Sequence, residues 1–293
     1  MRQLLAAFLL PAALGAQTLA PRPVVADRTG SFQDPALTES SGVIRSRVLP
    51  RVLYTINDSG NDPLVFAFDS SGRPLGSWRV PGVTNRDWEA LSIGPCPAGS
   101  CLVIGDTGDN DERRARVVLY RVREPARIER FRGAADPAPL GLDSALVRYP
   151  DGPHDVEAMW VEPDGSVALV SKGRSNGVRL YRVRAGGFGA AGGVEAQLLQ
   201  VLPISPDRKL GRWVTDAALA PDGRRVAIRT YTELYLFPLL PAGRLGTPVA
   251  CNVAGLEPQG EGVEWLDDRR LLLTSEAGPR GAAGPIHIVR CDG

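Results

Sequence analysis

Apolar and polar positions alternate along the chain in short runs, and the runs themselves repeat. Five segments follow one plan: a small polar or acidic residue leads into an apolar strand, a tight turn follows, a second apolar strand runs into polar loop residues, and a third strand closes the unit. In the first unit Glu39-Ser40-Ser41-Gly42-Val43-Ile44 precedes Val52 to Ile56, the loop Asn57-Asp58-Ser59-Gly60-Asn61, and Leu64 to Phe68. The second has Asp87-Trp88-Glu89-Ala90-Leu91, Cys101 to Gly105, the loop Asp106-Thr107-Gly108-Asp109-Asn110, and Val117 to Val122. The third has Asp155-Val156-Glu157-Ala158, Val167 to Val170, Ser171-Lys172, and Val178 to Val183. The fourth joins Thr215-Asp216-Ala217 to Val226 to Ile228, Arg229-Thr230, and Leu234 to Phe237; the fifth joins Glu261 to Trp265, Leu271 to Leu273, Thr274-Ser275-Glu276, and Ile286 to Val289.

Matching turn residues support the alignment. Pro163-Asp164-Gly165, Pro221-Asp222-Gly223, Asp267-Asp268 and the Cys96 to Cys101 loop all stand between the first two strands, where tight hairpins favour such residues. Outer strands are expected over Pro74 to Val80, Ser144 to Tyr149, Val194 to Leu202 and Thr247 to Val253. Four short antiparallel strands per unit is the plan of a β-propeller blade, so the fold class is all-β. Five blades are favoured, and a sixth hidden in residues 123 to 150 is the alternative. The fifth unit lacks an outer strand, and Pro23 to Ala26 from the N-terminus would supply it and close the ring.

The first residues change the picture of where the protein works. Arg2 and the apolar run Leu4 to Leu14 end in Gly15-Ala16, the order of a signal peptide cut near Gln17. This predicts a signal over 1–16, a single propeller domain over 17–293, and a secreted or periplasmic location. The domain of roughly 277 residues gives about 55 per blade for five blades, near the usual blade length. No later stretch is apolar for long enough to predict a membrane span. An oxidising compartment suits the four cysteines. Cys96 and Cys101 bracket a turn and read as a hairpin staple, which leaves Cys251 and Cys291 to tie the C-terminus to the body.

Composition then narrows the chemistry. With 34 basic against 33 acidic side chains the net charge is +1, which argues against nucleic acid as a partner. There are only 2 histidines, so a multi-histidine zinc or iron site cannot be built. Carboxylates are another matter. The first strand of each blade lines a propeller's axis, so a column of Ser41, Glu89, Glu157, Asp216 and Glu261 should ring one mouth of the channel. Glu39, Asp87, Asp155 and Gln259 stand two residues upstream, and the loops after second strands add Asn57, Asp58, Asp106, Asp109, Asn110 and Glu276. So many carboxylates must take up protons or bind a cation, and an all-oxygen set suits Ca²⁺. Glu89, Asp106, Glu157, Asp216 and Glu261 are the expected metal ligands. Lys172, Arg174 and Arg229 are the cations that would balance the ring or hold an anionic group. Each carboxylate also has a plain reading, as an acceptor for backbone N–H groups at a strand start.

Catalytic signals are sparse. There is no Gly-x-Ser-x-Gly elbow, and His287 falls in a third strand away from the mouth. His154 caps the loop after Tyr149-Pro150-Asp151-Gly152-Pro153 and, with Asp155 and Lys172, is the candidate for proton transfer.

Trp88-Glu89-Ala90-Leu91, Gly105-Asp106-Thr107-Gly108-Asp109-Asn110 and Tyr149 to Ala158 resemble the motifs of secreted bacterial β-propellers loosely similar to TolB-like propellers, over residues 39 to 183. That resemblance implies fold and export and carries no settled activity. Two functions are therefore expected: a monomeric module binding a small molecule, glycan or envelope protein at a calcium-holding mouth, or a calcium-dependent hydrolase of an ester, lactone or phosphoester.

Overall fold

A computed structural model of the protein describes residues 20–128, 141–175, 177–209 and 211–291. The expected signal segment lies outside the described residues. Strand β1 (Val25–Ser31) comes first and waits for a partner at the far end of the sequence. Blade 1 follows as β2 (Ser40–Arg45), β3 (Leu53–Asn57), β4 (Leu64–Phe68) and β5 (Pro74–Arg79). Blade 2 holds β6 (Trp88–Cys96), β7 (Gly99–Asp106), β8 (Val117–Arg123) and β9 (Leu142–Arg148). Blade 3 is β10 (Val156–Val161), β11 (Val167–Ser171), β12 (Arg179–Val183) and β14 (Gln197–Val201), with the short β13 (Val194–Glu195) preceding its outer strand. Blade 4 is β15 (Val214–Leu219), β16 (Arg225–Thr230), β17 (Glu233–Pro238) and β18 (Val249–Asn252). Blade 5 is β19 (Gly260–Trp265), β20 (Arg270–Ser275) and β21 (Pro285–Arg290), and β1 completes it by pairing antiparallel with β21. The five-bladed propeller is thus present. The stretch entertained as a sixth blade supplies β9, and its residues 129–140 lie outside those described.

The repeat holds because each blade buries both faces. Five separate apolar clusters form the core, one between each pair of neighbouring blades. Leu119 and Val103 of blade 2 pack with Met159 and Leu169 of blade 3, for example, and Phe66 of blade 1 packs with Leu272 and Ile286 of blade 5. A middle strand covered on both sides reads as a continuous apolar run, which is why β7, β11 and β20 stand out in the sequence.

Two edges depart from the expected pattern. The segment Val194 to Leu202 was expected as one outer strand, yet it divides. β13 pairs in parallel with β9 of blade 2 before β14 joins β12 of blade 3. Gly193 permits this crossing, since its φ is +73° and a Cβ there would lie 2.6 Å from the Leu146 carbonyl oxygen. At the N-terminus the closing strand is longer than Pro23 to Ala26, and the residue before it reaches another blade. Arg22 N donates to Ala250 O (2.8 Å) and Asn252 N donates to Arg22 O (2.7 Å), so the chain touches the edge of blade 4 before entering blade 5. Disulfides join Cys96 to Cys101 across the β6–β7 hairpin and Cys251 in β18 to Cys291 just after β21. The second one locks the same seam between blades 4 and 5.

Candidate functional site

Each inner strand carries one inserted residue where it begins, because the β2–β3, β6–β7, β10–β11, β15–β16 and β19–β20 registers all slip there. The inserted residues are Gly42, Glu89, Glu157, Thr215 and Glu261. Such a bulge bends the strand and re-aims the side chain it carries. Three of the five are glutamates, 5%, 1% and 4% exposed respectively. They are close enough that Glu157 raises the proton affinity of both Glu89 and Glu261.

This register corrects the expected column in blade 4 and keeps it in the other four. In blade 1 the unpaired residue is Gly42 (φ +69°), but Ser40 and Val43 pair as Trp88 and Leu91 do in blade 2, and Asp58 N donates to Glu39 O as Lys172 N does to Asp155 O, so Ser41 holds the place of Glu89 and Glu157. Its hydroxyl donates to Glu89 O (2.9 Å) and Oε2 (3.2 Å). Blade 4 contributes Thr215, and Asp216 stands one residue further on. Its carboxylate accepts from Ala217 N (2.8 Å), Val263 N (2.8 Å) and Val43 N (3.3 Å), reaching blades 5 and 1 from blade 4. Asp216 is wholly buried and ties three inner strands together.

Beside the glutamates, Asp58 at the end of β3 and Asp87 before β6 join Glu89. Their carboxylate oxygens all lie within 4.8 Å of one another, close enough to share a metal ion. Burial lifts Asp87 to about 6, and the neighbouring Asp58 and Asp155 add to it. Burial, then Glu157 and Asp58, push Glu89 well above the usual carboxylate range. Lys172 Nζ donates to Glu157 Oε1 at 2.5 Å. Burial still carries Glu157 to about 8, against the pull of that ammonium. For Lys172 itself, burial opposes the charge and is outweighed by Glu157, Tyr231 and Glu89, so it stays protonated. In blade 5, next to blade 1, Gln259 Nε2 donates to Glu261 Oε1 (3.1 Å) and Glu276 Oε1 (2.7 Å), and burial, with Asp58 and Glu39 nearby, brings Glu276 to about 7.

The remaining candidates spread around this centre. Asp106 is paired with Arg114 Nη2 at 2.7 Å and accepts from Arg86 N, so it does not join the trio. Asp109 accepts from Arg114 N (2.6 Å), and its own amide donates to Asp155 Oδ1 (2.9 Å). Asp155, wholly buried, also accepts from Arg174 Nε at 2.5 Å, and Arg174 reaches Asn110. Asn57 braces the wall, accepting from Glu39 N (3.1 Å) and donating to Ala36 O (2.7 Å). Arg229 turns away from the mouth: it is 1% exposed and donates to Gly262 O, Thr274 O and Glu257. His154 lies beside the paired rings of Tyr149 and Tyr181, its ring centroid 5.8 and 5.7 Å from theirs, with Nε2 3.3 Å from Asp151 and Nδ1 3.6 Å from Glu112.

Sequence reasoning passed over Trp213. Counted from the bulge, it occupies in blade 4 the place that Asp87, Asp155 and Gln259 occupy in their own blades. Its half-buried ring has Arg174 Cζ at 4.5 Å, Arg208 Cζ at 5.7 Å and Lys172 Nζ at 5.9 Å. A correct register would have revealed it. The mouth therefore combines a compact carboxylate trio, a buried Lys–Glu pair and an aromatic plate edged by cations.

No protein-family model and no curated protein matches the chain. Among solved structures it is similar to the PQQ-bound form of an aldose sugar dehydrogenase from Streptomyces coelicolor, at 14% identity and a TM-score of 0.54, covering 92% of this chain and 99% of that one. A gluconolactonase from Xanthomonas campestris matches at 14% identity and a TM-score of 0.47, covering 91% of this chain and 89% of that one. At such identities the likeness is one of fold.

Proposed function

We propose that this protein is an exported propeller whose mouth holds a calcium ion on Asp58, Asp87 and Glu89 and serves as a binding module for a small polar molecule or glycan. The convergence of three carboxylates within 4.8 Å carries the reading. Oxygen-only ligands without histidine or thiolate suit Ca²⁺, and the burial that raises Asp87 and Glu89 is relieved when a cation replaces their protons. Lys172, which acts on Glu89 of the trio, lies 5.9 Å from the Trp213 ring, and the two offer a charge and a stacking surface to a bound ligand. Export is supported by the two disulfides, by the signal-like N-terminus and by the motif resemblance to secreted propellers.

The test is thermal unfolding with calcium and then chelator. Saturating calcium, at a hundredfold excess over its Kd, should raise the Tm by roughly 5 °C. Asp87→Asn and Glu89→Gln should each remove most of that rise. A wild-type Tm indifferent to calcium would end the proposal.

One observation favours a hydrolytic second reading. Glu157, at about 8, is a buried acid able to exchange a proton near neutral pH within reach of the same centre. Bound calcium would polarise the substrate oxygen. Turnover of an ester, lactone or phosphoester panel that disappears in Glu157→Gln while the calcium shift persists would establish it.

A further inference from the structure

The inner strands run from the acidic mouth to their hairpin turns, and at those turns the channel ends in a second cavity of about 690 Å³. Its lining comes from the far ends of β2, β6, β10, β15 and β19 and the turns that follow them, so all five blades contribute and none of the mouth carboxylates does. The volume is that of a small-molecule site. Prolines from four hairpins, Pro50, Pro95, Pro163 and Pro221, stiffen the rim. Ile44, Ile93, Leu219 and the Trp160 ring give it apolar walls.

The charge here is reversed. Blade 1 presents Arg45, Arg47 and Arg51 to the cavity, against a single carboxylate, Glu264. Arg45 is committed, with Nη1 donating to Leu266 O at 2.6 Å. Arg47 and Arg51 are exposed, and among the described residues no carboxylate lies within ion-pair distance of either guanidinium. Their loop is nevertheless fixed. Glu124, 4% exposed on blade 2, accepts from Ser46 Oγ (2.5 Å) and Arg47 N (3.0 Å), and Ser46 Oγ in turn accepts from Leu49 N (2.7 Å). Two guanidinium groups without a direct ion-pair partner are thus held on a braced loop above an apolar chamber, Arg47 feeling the carboxylates of Glu264 and Glu124 only at longer range. In the wall, Trp160 Nε1 is buried with no hydrogen-bond partner among the described residues, whereas Trp265 Nε1 donates to Ala218 O at 3.1 Å.

We infer that this chamber is a second binding site, separate from the acidic mouth, for a small organic carboxylate: its acid group pairs with Arg47 and Arg51 and its apolar body lies against Trp160. Guanidinium forks match carboxylates in shape and charge, and a rigid apolar cavity limits the ordering cost of binding. Glu264 sets the selectivity from beside the arginines: its carboxylate accepts from Arg45 N (3.0 Å) and acts on the Arg47 guanidinium, so a second acid group on the ligand is disfavoured there. The site therefore favours monocarboxylates over dicarboxylates.

The probe is 4-phenylbutyrate, followed through the tryptophan indole N–H resonances of the isotope-labelled full chain. The Trp160 resonance, identified by its disappearance in Trp160→Phe, should move in a saturable way. The neutral 4-phenylbutanol should bind at least about tenfold more weakly, as should the acid to an Arg47→Gln/Arg51→Gln double variant. Both arginines are exposed, and an unchanged melting curve confirms that the double variant is folded. A Trp160 resonance that does not respond to the acid, equal binding of the alcohol, or undiminished binding by the double variant would each overturn the inference. None of these readouts involves calcium, so the outcome is independent of the mouth.

Discussion

Lys172 places its ammonium 2.5 Å from the Glu157 carboxylate, with both side chains buried at the centre of an otherwise acidic ring. The pair joins the loop after β11 to the bulge of β10, so one blade carries its own counter-charge. Glu89 and Glu261, the bulge glutamates of blades 2 and 5, feel the same ammonium from a greater distance. Removing it exposes three carboxylates to one another.

Lys172→Met should therefore cost about 3 kcal/mol in urea unfolding above pH 8, where Glu157 is ionised in the wild type, because it leaves a buried carboxylate without its partner. The double variant Lys172→Met/Glu157→Gln should recover most of that loss. Equal stability of the single and double variants would show that the pair is not coupled.

In calcium-free solution the pH dependence should run opposite to that of an ordinary salt-bridged protein. Asp87 at about 6, Glu276 at about 7 and Glu157 at about 8 all lie above their unfolded values, so between pH 4 and 8 the folded state binds more protons than the unfolded one. Stability should fall as pH rises through that window. Calcium should flatten the fall by taking the place of protons on Asp87 and Glu89. A Tm measured across this range with chelator and with calcium checks the sign.

Asp216→Ala should destabilise the protein by about 3 kcal/mol while leaving the calcium-induced Tm shift in place. Its carboxylate serves Val43 N, Val263 N and Ala217 N, and truncation strands those buried donors. Loss of the calcium shift with the fold intact would instead return Asp216 to the metal site.

The two disulfides should differ in weight. Cys251 and Cys291 are 40 residues apart and Cys96 and Cys101 only 5, so loop-closure entropy assigns about 4 kcal/mol to the first and about 2 to the second. Chemical unfolding of Cys251→Ser/Cys291→Ser against Cys96→Ser/Cys101→Ser tests the ratio. The first variant should also lose protection from hydrogen exchange along β1 and β21, the strands that close the ring.

The sequence by itself determined the propeller and the concentration of carboxylates at one end, and it favoured the five blades and the two disulfide pairings that the structure has. These follow from local rules: apolar runs of strand length, Pro-Asp-Gly turns, and repetition of one unit that cannot bury both faces alone. It did not determine which carboxylates meet. The register moves the inner column by one residue in blade 4, replacing Asp216 with Thr215 and bringing Trp213 into the column of Asp87 and Asp155. A one-residue slip changes which face a side chain occupies, and nothing local in the pattern of blade 4 fixes it. The meeting of Asp58 with Asp87 and Glu89, the withdrawal of Arg229 to Glu257, and the cationic chamber below Arg47 are likewise tertiary facts. Each depends on the distance between residues of different blades or loops, which closure of the ring and packing of the blade interfaces set.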